Sequence, residues 1–483
     1  MRGARARRHG SREPATVMRA TEVEVAVVGA GPAGLAAALA ARRLGARVLV
    51  IDEYALPGGQ YHRQPAFASA DGNVDSAQVR AGRALIAEVV QAGVEIWRAA
   101  TVWAAYADGT LAIDRGGASV EVRAKRLVIA SGAHDRVMPF PGWTIPGVIT
   151  VGAAQAMCKA HALLPGLRVV MAGSGPFLLV VALDLARAGA KIELIEAASP
   201  NGAALREFLR FPKRWGELAS LLAALAARGV RIRLGRAVTS AEGHLAVTTA
   251  VSHRIDGDGA PIAGTARRHM TDALAVANGF RAQTEIARLL GCTTRYDEAV
   301  GGHVVVVDHL TGRTSVEGVY AAGEITGVAG HQVASAEGTI AGISAASSLG
   351  HVLAGNTRVL ADARRRRNDA QAFADLVART FAPRPGLTSV TTPETIVCRC
   401  EAIPRSAIEA AIDSGAHTTS AVKRWTRCGM GACQGRMCGW PLARIIAQRL
   451  ARPLSEVDNL AARLPLKPVT LGNIVRSREM TTL

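Results

Sequence analysis

The chain has 483 residues, of which 49% are hydrophobic, and a formal net charge of +18 that comes mostly from arginine. This length suits about three domains with sizeable cores. The basic residues form no stripe interleaved with aromatic side chains, so the sequence argues against nucleic-acid binding. The apolar, uncharged run over residues 169–183 is interrupted by glycine and proline and is too short to cross a bilayer.

Residues 1–21 are basic and low in apolar side chains. Arg7 and Arg8 are not followed by an apolar segment, so neither a secretory nor a twin-arginine signal is indicated. We expect a disordered tail over residues 1–21 and a cytoplasmic protein without a membrane span.

Residues 25–52 follow the order strand, glycine turn, helix, strand, acid. Gly29, Gly31 and Gly34 have the G-x-G-x-x-G spacing, and Asp52 ends the second apolar run. Such glycines permit a tight turn, the close approach of a pyrophosphate and close packing of helix on strand. The helix N-terminus offers free N–H groups to phosphate, and the acid can accept hydrogen bonds from a ribose. The segment therefore predicts a dinucleotide site.

Four later segments extend this site: two glycine turns, an acid that follows a glycine, and a histidine that opens a small-residue helix. In flavoproteins with two dinucleotide folds, such an acid meets the ribityl or pyrophosphate region of the flavin. These features favour FAD over NAD, and a smaller adenine nucleotide stays an open alternative. The residues assigned to the cofactor are Gly29, Gly31, Pro32, Ala33, Gly34, Asp52, Glu53, Gly59, Gln60, Ser131, Gly132, Gly323, Glu324 and His331.

A second nucleotide-type unit follows a stretch dense in proline and glycine. Residues 168–196 repeat the first pattern, but Leu178 stands where the third glycine is expected. Glu196 would repel a 2′-phosphate, which argues against NADP. Two interpretations stay open: a functional NAD or adenine-nucleotide site around Gly173, and a retained structural fold. We expect residues 272–277 to return the chain to the first domain.

Five of the seven cysteines fall within residues 398–438, and no dithiol lies beside the predicted nucleotide sites. In a cytosolic chain this density indicates metal binding rather than disulfides. Four thiolates would hold a [2Fe–2S] cluster, which we favour, or zinc. Cys398 and Cys400 form a C-x-C pair, whereas Cys428, Cys433 and Cys438 compete for the other two positions.

These features predict an α/β, Rossmann-like flavoprotein with two dinucleotide-binding domains, one inserted in the other, and a small helical C-terminal [2Fe–2S] domain. The expected boundaries are 22–138 and 272–351 for the FAD-binding domain, 139–271 for the inserted NAD-type domain, 352–393 for a linker, 394–456 for the [2Fe–2S] domain and 457–483 for a C-terminal tail.

The C-terminal module resembles the bacterioferritin-associated-ferredoxin-like [2Fe–2S] domain, in which a C-x-C pair precedes a second cysteine pair. The 32 residues between Cys400 and Cys433 fit that pattern, so the resemblance assigns the ligands Cys398, Cys400, Cys433 and Cys438, with the last more widely spaced than usual.

Residues 23–474 as a whole are similar to the alpha (A) subunits of octopine and nopaline oxidases. They are also similar to a subunit of hydrogen cyanide synthase and to the alpha subunits of dye-linked proline, hydroxyproline and sarcosine-oxidising complexes. The stretches that carry the likeness are P-G-G-Q at 57–60, P-G-W at 141–143, A-G-S-G-P at 172–176, G-E at 323–324 and C-Q-G-R at 433–436.

This resemblance implies a division of labour in a hetero-oligomer. A beta subunit, an amino-acid-oxidase-like flavoprotein, removes hydride from a C–N bond. The alpha subunit then carries electrons through flavin and cluster to an acceptor. A further small subunit and an FMN at a subunit interface stay open, as does the substrate. Two other functions remain: a self-contained NADH-dependent reductase, and a cluster-bearing structural or sensing subunit.

Overall fold

The computed structural model describes residues 20–67, 76–198, 202–352 and 355–475. Nearly all of the tail expected over residues 1–21 lies outside these ranges, as do residues 476–483 of the expected C-terminal tail. Within the described ranges, no helix combines the length and the apolar character that a bilayer crossing needs.

The first part of the chain begins with the predicted strand–helix–strand unit. Its elements are β1 (Thr21–Val28), α1 (Pro32–Arg43), β2 (Val48–Ile51), α2 (Ala77–Gln91), β3 (Glu95–Trp97), β4 (Ala100–Ala105), β5 (Thr110–Arg115), β6 (Ala118–Ile129) and β7 (Ala133–Asp135). One sheet contains β3, β2, β1, β6, β5 and β4 in that order. Strand β1 lies parallel to β2 and β6. Its residues 25–28 are all buried and apolar, as expected for a strand in a parallel sheet that is covered on both faces.

The inserted part builds a second parallel sheet. Its elements are β8 (Val148–Thr150), α3 (Val151–His161), β9 (Arg168–Gly173), α4 (Pro176–Arg187), β10 (Lys191–Glu196), α5 (Gly202–Phe208), α6 (Pro212–Ala226), β11 (Arg231–Leu234), β12 (Arg236–Gly243), β13 (Val247–Arg254), β14 (Arg267–Met270) and β15 (Ala273–Ala277). The sheet order is β11, β10, β9, β15, β8, and β12 to β14 form a separate antiparallel sheet.

The position of β15 corrects one expected boundary. This strand pairs in parallel with β9 and β8, so it belongs to the inserted domain and does not return the chain to the first sheet. The insertion therefore runs to Ala277 rather than to residue 271. All five residues of β15 are buried, and such an apolar run fits the middle of either parallel sheet.

The chain then returns to the first domain. Its elements are β16 (Phe280–Ala282), α7 (Glu285–Leu289), β17 (Thr294–Asp297), β18 (Gly302–Val305), β19 (Val319–Ala321), α8 (His331–Ser347) and α9 (Asn356–Thr380). Strand β19 joins the first sheet beside β6, and β16 pairs antiparallel with β7 as a short ribbon. Helix α8 packs directly on α1, because Gly338 and Gly342 bring its backbone close to the carbonyl oxygens of Ala33 and Ala37.

The C-terminal domain is small and mostly helical, as predicted. It follows a 3-10 helix (Pro385–Val390) and contains β20 (Ile396–Cys398), β21 (Ile403–Pro404), α10 (Arg405–Asp413), α11 (Thr419–Thr426), α12 (Gly439–Arg449) and a second 3-10 helix (Leu454–Glu456). Its core combines buried aliphatic side chains from the three helices with Cys398, Cys428 and Cys438. These three cysteines are therefore held in the packed interior of this domain.

Candidate cofactor sites

The turn after β1 has the geometry of a phosphate cradle. Gly29 has φ +105°, and a Cβ there would lie 2.4 Å from the carbonyl oxygen of Ala130. A Cβ at Gly34 would lie 1.8 Å from the carbonyl oxygen of Gly29. At Gly31 the nearest atom is the Cα of Gly59, at 3.9 Å, so this glycine borders open space. Two glycines thus close the turn, and the third leaves room for a ligand beside the backbone.

A second glycine turn lies against the first. The N–H of Gly58 donates to the carbonyl of Ala30 over 2.8 Å, and a Cβ at Gly59 would lie 2.7 Å from the Cα of Gly31. Gln60 donates from Nε2 to the hydroxyl of Tyr54 over 3.1 Å. The turns after β1 and β2 are therefore in direct backbone contact, so both can contribute to a single binding site.

Asp52 is tied to this structure by two backbone N–H groups. Its carboxylate accepts hydrogen bonds from Ala30 and from Tyr54, the latter over 2.8 Å. Burial raises the pKa of Asp52 despite these bonds. Glu53 instead pairs with Lys467 over 2.7 Å, which ties the turn to the C-terminal segment. Each Asp52 oxygen keeps a lone pair that a ribose hydroxyl can use.

Ser131 and Gly132 lie where β6 ends and the β7–β16 ribbon begins. The Ser131 hydroxyl donates to the carbonyl of Gln283 over 2.6 Å, and the N–H of Gln283 donates to the carbonyl of Gly132 over 2.9 Å. The small-residue turn is thus held by the first residues after β16.

Gly323 and Glu324 lie beyond β19, beside the N-terminus of α1. A Cβ at Gly323 would lie 2.7 Å from the Cβ of Ala33. Glu324 Oε1 accepts from the N–H of Gly330 over 2.8 Å, at the start of α8. Burial, with a smaller contribution from the charge of Glu337, raises the pKa of Glu324 to about 7.

Glu337 is a site residue that the sequence reasoning missed. Its Oε2 accepts from the N–H of Gly323 over 3.0 Å and from the hydroxyl of Thr326 over 2.7 Å. Its Oε1 pairs with Arg367 over 3.0 Å, although the four-arginine run that contains Arg367 has the pattern of a solvated face. The sequence feature that could have identified Glu337 is that it is a single acid within a helix of small and apolar residues.

His331 opens α8 and stacks on Tyr61, a second missed residue. The two ring centroids are 3.7 Å apart and the planes differ by 10°. Burial, then the neighbouring His62 and Arg214, lower the pKa of His331 to about 4. The imidazole is therefore neutral at pH 7, and this stack lies next to the P-G-G-Q turn.

The second glycine motif is covered by the chain itself. Glu196 accepts from the N–H groups of Gly175 over 3.0 Å and Ala198 over 2.8 Å, and burial raises its pKa to about 7. Phe381, just after α9, lies 3.8 Å from where a Cβ on Gly175 would be. The space left beside Ser174 is about 10 Å³. Leu178 is fully buried, so its side chain fills the core behind the motif.

The C-terminal cysteines form two adjoining groups. The Sγ atoms of Cys398, Cys428 and Cys438 lie within 4.8 Å of one another and are buried. Cys400 is exposed and its thiol hydrogen-bonds to Cys433. The four predicted ligands are thus together, and Cys428 accompanies them. Four cysteine thiolates are the donor set that a [2Fe–2S] cluster needs.

Comparisons with known proteins agree with this geometry. Residues 23–338 match the family described as pyridine nucleotide-disulphide oxidoreductase, and residues 396–448 match the BFD-like [2Fe-2S] binding domain. The opine oxidase subunit designated A in Agrobacterium tumefaciens (strain Ach5) is 32% identical over 472 residues, which cover 93% of this chain and 91% of that protein. Hydrogen cyanide synthase subunit HcnB of Pseudomonas aeruginosa is 30% identical, with 92% and 96% covered.

A solved structure extends the likeness to the fold. L-proline dehydrogenase from P. horikoshii aligns with a TM-score of 0.68 over 94% of this chain and 79% of that one, at 21% identity. The resemblance expected from the sequence and the two-dinucleotide-domain fold are confirmed. The chain belongs to the pyridine nucleotide-disulphide oxidoreductase family, as an FAD-dependent oxidoreductase subunit that is related to the opine oxidase protein above and carries a C-terminal [2Fe–2S] domain.

Proposed function

We propose that the chain is the electron-transfer alpha subunit of a heteromeric amino-acid or opine dehydrogenase. A beta-subunit flavoprotein would oxidise the C–N bond of the substrate, and this chain would pass the electrons to an acceptor. The relatives that match 93% and 92% of its length are named as subunits, which supports assembly with another chain.

The observation that carries this proposal is a short path between the two cofactor sites. Strand β7 starts directly after Ser131 and Gly132, beside the flavin cradle. Its middle residue, His134, hydrogen-bonds through Nε2 to the carbonyl of Arg436 over 3.1 Å. Arg436 lies in the loop between Cys433 and Cys438. One three-residue strand therefore spans from the proposed FAD site to the proposed cluster ligands.

The chain's own residues have holding roles in this proposal. The glycine turns after β1 and β2, with Asp52 and Glu324, would hold FAD. Cys398, Cys400, Cys433 and Cys438 would hold the cluster. When bound, FAD exchanges two electrons and the cluster one, so the pair can convert hydride equivalents into single electrons.

The second candidate, a self-contained NADH-dependent reductase, would need the motif at Gly173 and Gly175. Phe381 and the segment after it lie over that motif, and the remaining space is about 10 Å³. A nicotinamide dinucleotide needs several hundred Å³. This obstruction supports the heteromeric function over the reductase.

Purification of the chain alone and with its co-expressed beta subunit tests the proposal. We expect dithionite, but not NADH, to reduce the isolated chain, and oxidation of an amine such as octopine, nopaline, proline or sarcosine only with the beta subunit present. Bound nucleotides extracted from both preparations would show whether an FMN joins at the interface.

Reduction of the isolated chain by NADH would favour the reductase instead. A chain with no bound flavin and no redox response would favour the structural or sensing role.

A further inference from the structure

The guanidinium of Arg281 is buried where the flavoprotein body meets the cysteine domain. Arg281 is the middle residue of β16 and is 8% exposed. Its Nη2 donates to Asn459 Oδ1 over 2.7 Å, and its Nη1 donates to the carbonyl of Gly435 over 3.4 Å. A Cβ at Gly439 would lie 3.0 Å from Nη1. Gly435 lies between Cys433 and Cys438, and Gly439 follows Cys438, so this cation borders the cysteine loop.

Arg281 is part of a buried excess of positive charge. Arg288 donates to the carbonyl of Leu460 over 2.8 Å, and Arg436 donates to that of Leu466 over 2.9 Å. Neither partner is an acid. The Nε atoms of Arg288 and Arg436 and the Nδ1 of His134 are buried with no hydrogen-bond partner among the described residues.

Glu285 is the acid that faces these arginines. Burial raises the pKa of Glu285, but the charges of Arg281 and Arg436 outweigh it and hold the pKa below its ordinary value. One carboxylate thus faces three guanidinium groups. Buried charges are costly unless paired, so the boundary favours further negative charge. A four-thiolate [2Fe–2S] cluster carries net negative charge, and one unit more when reduced.

We propose that Arg281 sets the reduction potential of the cluster. Its fixed positive charge stabilises the reduced cluster more than the oxidised one, because reduction adds an electron and makes or breaks no bond. The potential is therefore higher than the thiolate ligands alone would give. This inference rests on the proposed function, since it requires a cluster at the cysteine loop. Arg281 is a positioning residue here, because it reaches the cluster site through the loop backbone.

The pairing of the ribbon explains why the charge lies at this place. Arg281 on β16 is the register partner of His134 on β7. Both side chains contact the loop between Cys433 and Cys438, through Gly435 and Arg436. The ribbon that would connect the two cofactors thus also carries the charge that favours electron arrival at the cluster.

A potentiometric titration monitored by electron paramagnetic resonance tests the proposal on the full chain. We expect Arg281→Gln to lower the ratio of reduced to oxidised cluster at a fixed potential by about tenfold or more. For a one-electron couple this corresponds to a reduction potential that is lower by about 59 mV. Arg281→Lys keeps the charge and should stay near the parent value.

The matched control is Arg449→Gln, which removes the same charge from an exposed side chain of the same domain, paired with Asp413. Equal potentials for Arg281→Gln and Arg449→Gln would overturn the proposal. If Arg281→Gln loses the cluster, Arg281→Met, which removes the same charge, supplies the measurement, and a potential equal to the parent's in that variant overturns the proposal as well. A parent chain without iron and acid-labile sulfide would instead refute the proposed function.

Discussion

Cys428 and Cys433 are the two candidates for one ligand position at the proposed cluster site. Cys398 and Cys438 lie within 4.8 Å of each other and of Cys428, and Cys400 hydrogen-bonds to Cys433. The four predicted ligands would therefore form two pairs, with one pair available to each iron of a bound cluster. Cys428 is as buried as Cys398 and Cys438, whereas Cys433 is the cysteine that contacts Cys400. We therefore propose that Cys428 is a core thiol and that Cys433 is a ligand.

Serine substitutions separate these roles. Cys433→Ser should lose most of the iron and of the visible cluster absorption, because a hydroxyl is a poor ligand for a [2Fe–2S] centre. Cys428→Ser should keep both and lose only about 1–3 kcal/mol of stability, since a hydroxyl replaces a buried thiol. Iron and sulfide analysis with absorption spectra measures the outcome, and the reverse pattern would assign Cys428 as the ligand.

Glu324 should give the folding stability of the chain a pH dependence. Its pKa rises from the ordinary value of 4.5 to about 7 in the folded chain. Between these pH values the folded state binds a proton that the unfolded state releases, so stability falls as pH rises through this window. Glu324→Gln lacks the ionisable group. As pH rises from 4.5 to 7, its melting temperature should therefore rise relative to that of the parent, by a difference equivalent to about 1–2 kcal/mol in the free energy of unfolding.

Melting curves of parent and variant, followed at several pH values, check this expectation. A difference in melting temperature that stays constant across the window would show that Glu324 does not titrate there.

Two glycines on one face of α8 decide how the first domain packs. Cβ atoms at Gly338 and Gly342 would each lie 2.1 Å from a backbone oxygen of α1, so the helices touch backbone to backbone. Gly34 packs α1 on β1 in the same way. This contact holds the N-terminus of α8 beside the N-terminus of α1, where the cradle is.

Alanine substitutions at two helical glycines should have opposite effects. Gly342→Ala should destabilise the chain by about 2 kcal/mol or more and weaken FAD retention, because α8 must move away from α1. Gly216→Ala, on an exposed face of α6 with nothing within 4 Å of the new Cβ, should stabilise by about 1 kcal/mol through helix propensity. Thermal unfolding and flavin fluorescence measure both. Similar losses in the two variants would mean that the α1–α8 contact is not critical.

The strands and helix around the first glycine motif could be predicted from the sequence. The tertiary contacts that these elements make could not. The glycine spacing and apolar runs of residues 25–52 determine β1, α1 and β2, since each is a local pattern. The sheet of β15 was wrongly predicted, because a buried run of Ala273–Ala277 fits either parallel sheet. The Tyr61–His331 stack and the Glu337 contacts join residues that are distant along the chain or belong to different elements, which no local pattern encodes.

At the scale of the whole molecule, α12 contributes one of the contacts between the cluster domain and the flavoprotein body. Arg136 and Arg444 both contact the Trp440 ring, and their Cζ atoms are 5.2 and 4.8 Å from its centroid. Glu298 pairs with Arg136 over 3.0 Å and with Arg444 over 3.7 Å. The Arg136 side chain is 2% exposed, so Glu298 is the acid that offsets a buried charge at this boundary.

Removal of that acid should loosen the two parts from each other. Glu298→Ala leaves Arg136 buried without its carboxylate, which should cost about 3 kcal/mol. Because the cluster domain has its own core, we expect the cluster absorption to be lost at a lower temperature than bound FAD in this variant. Asp413→Ala, which breaks the exposed pair with Arg449, should leave the stability nearly unchanged and the two transitions together. If Glu298→Ala also melts in one step at the parent's temperature, the two parts are held together by contacts other than this ion pair.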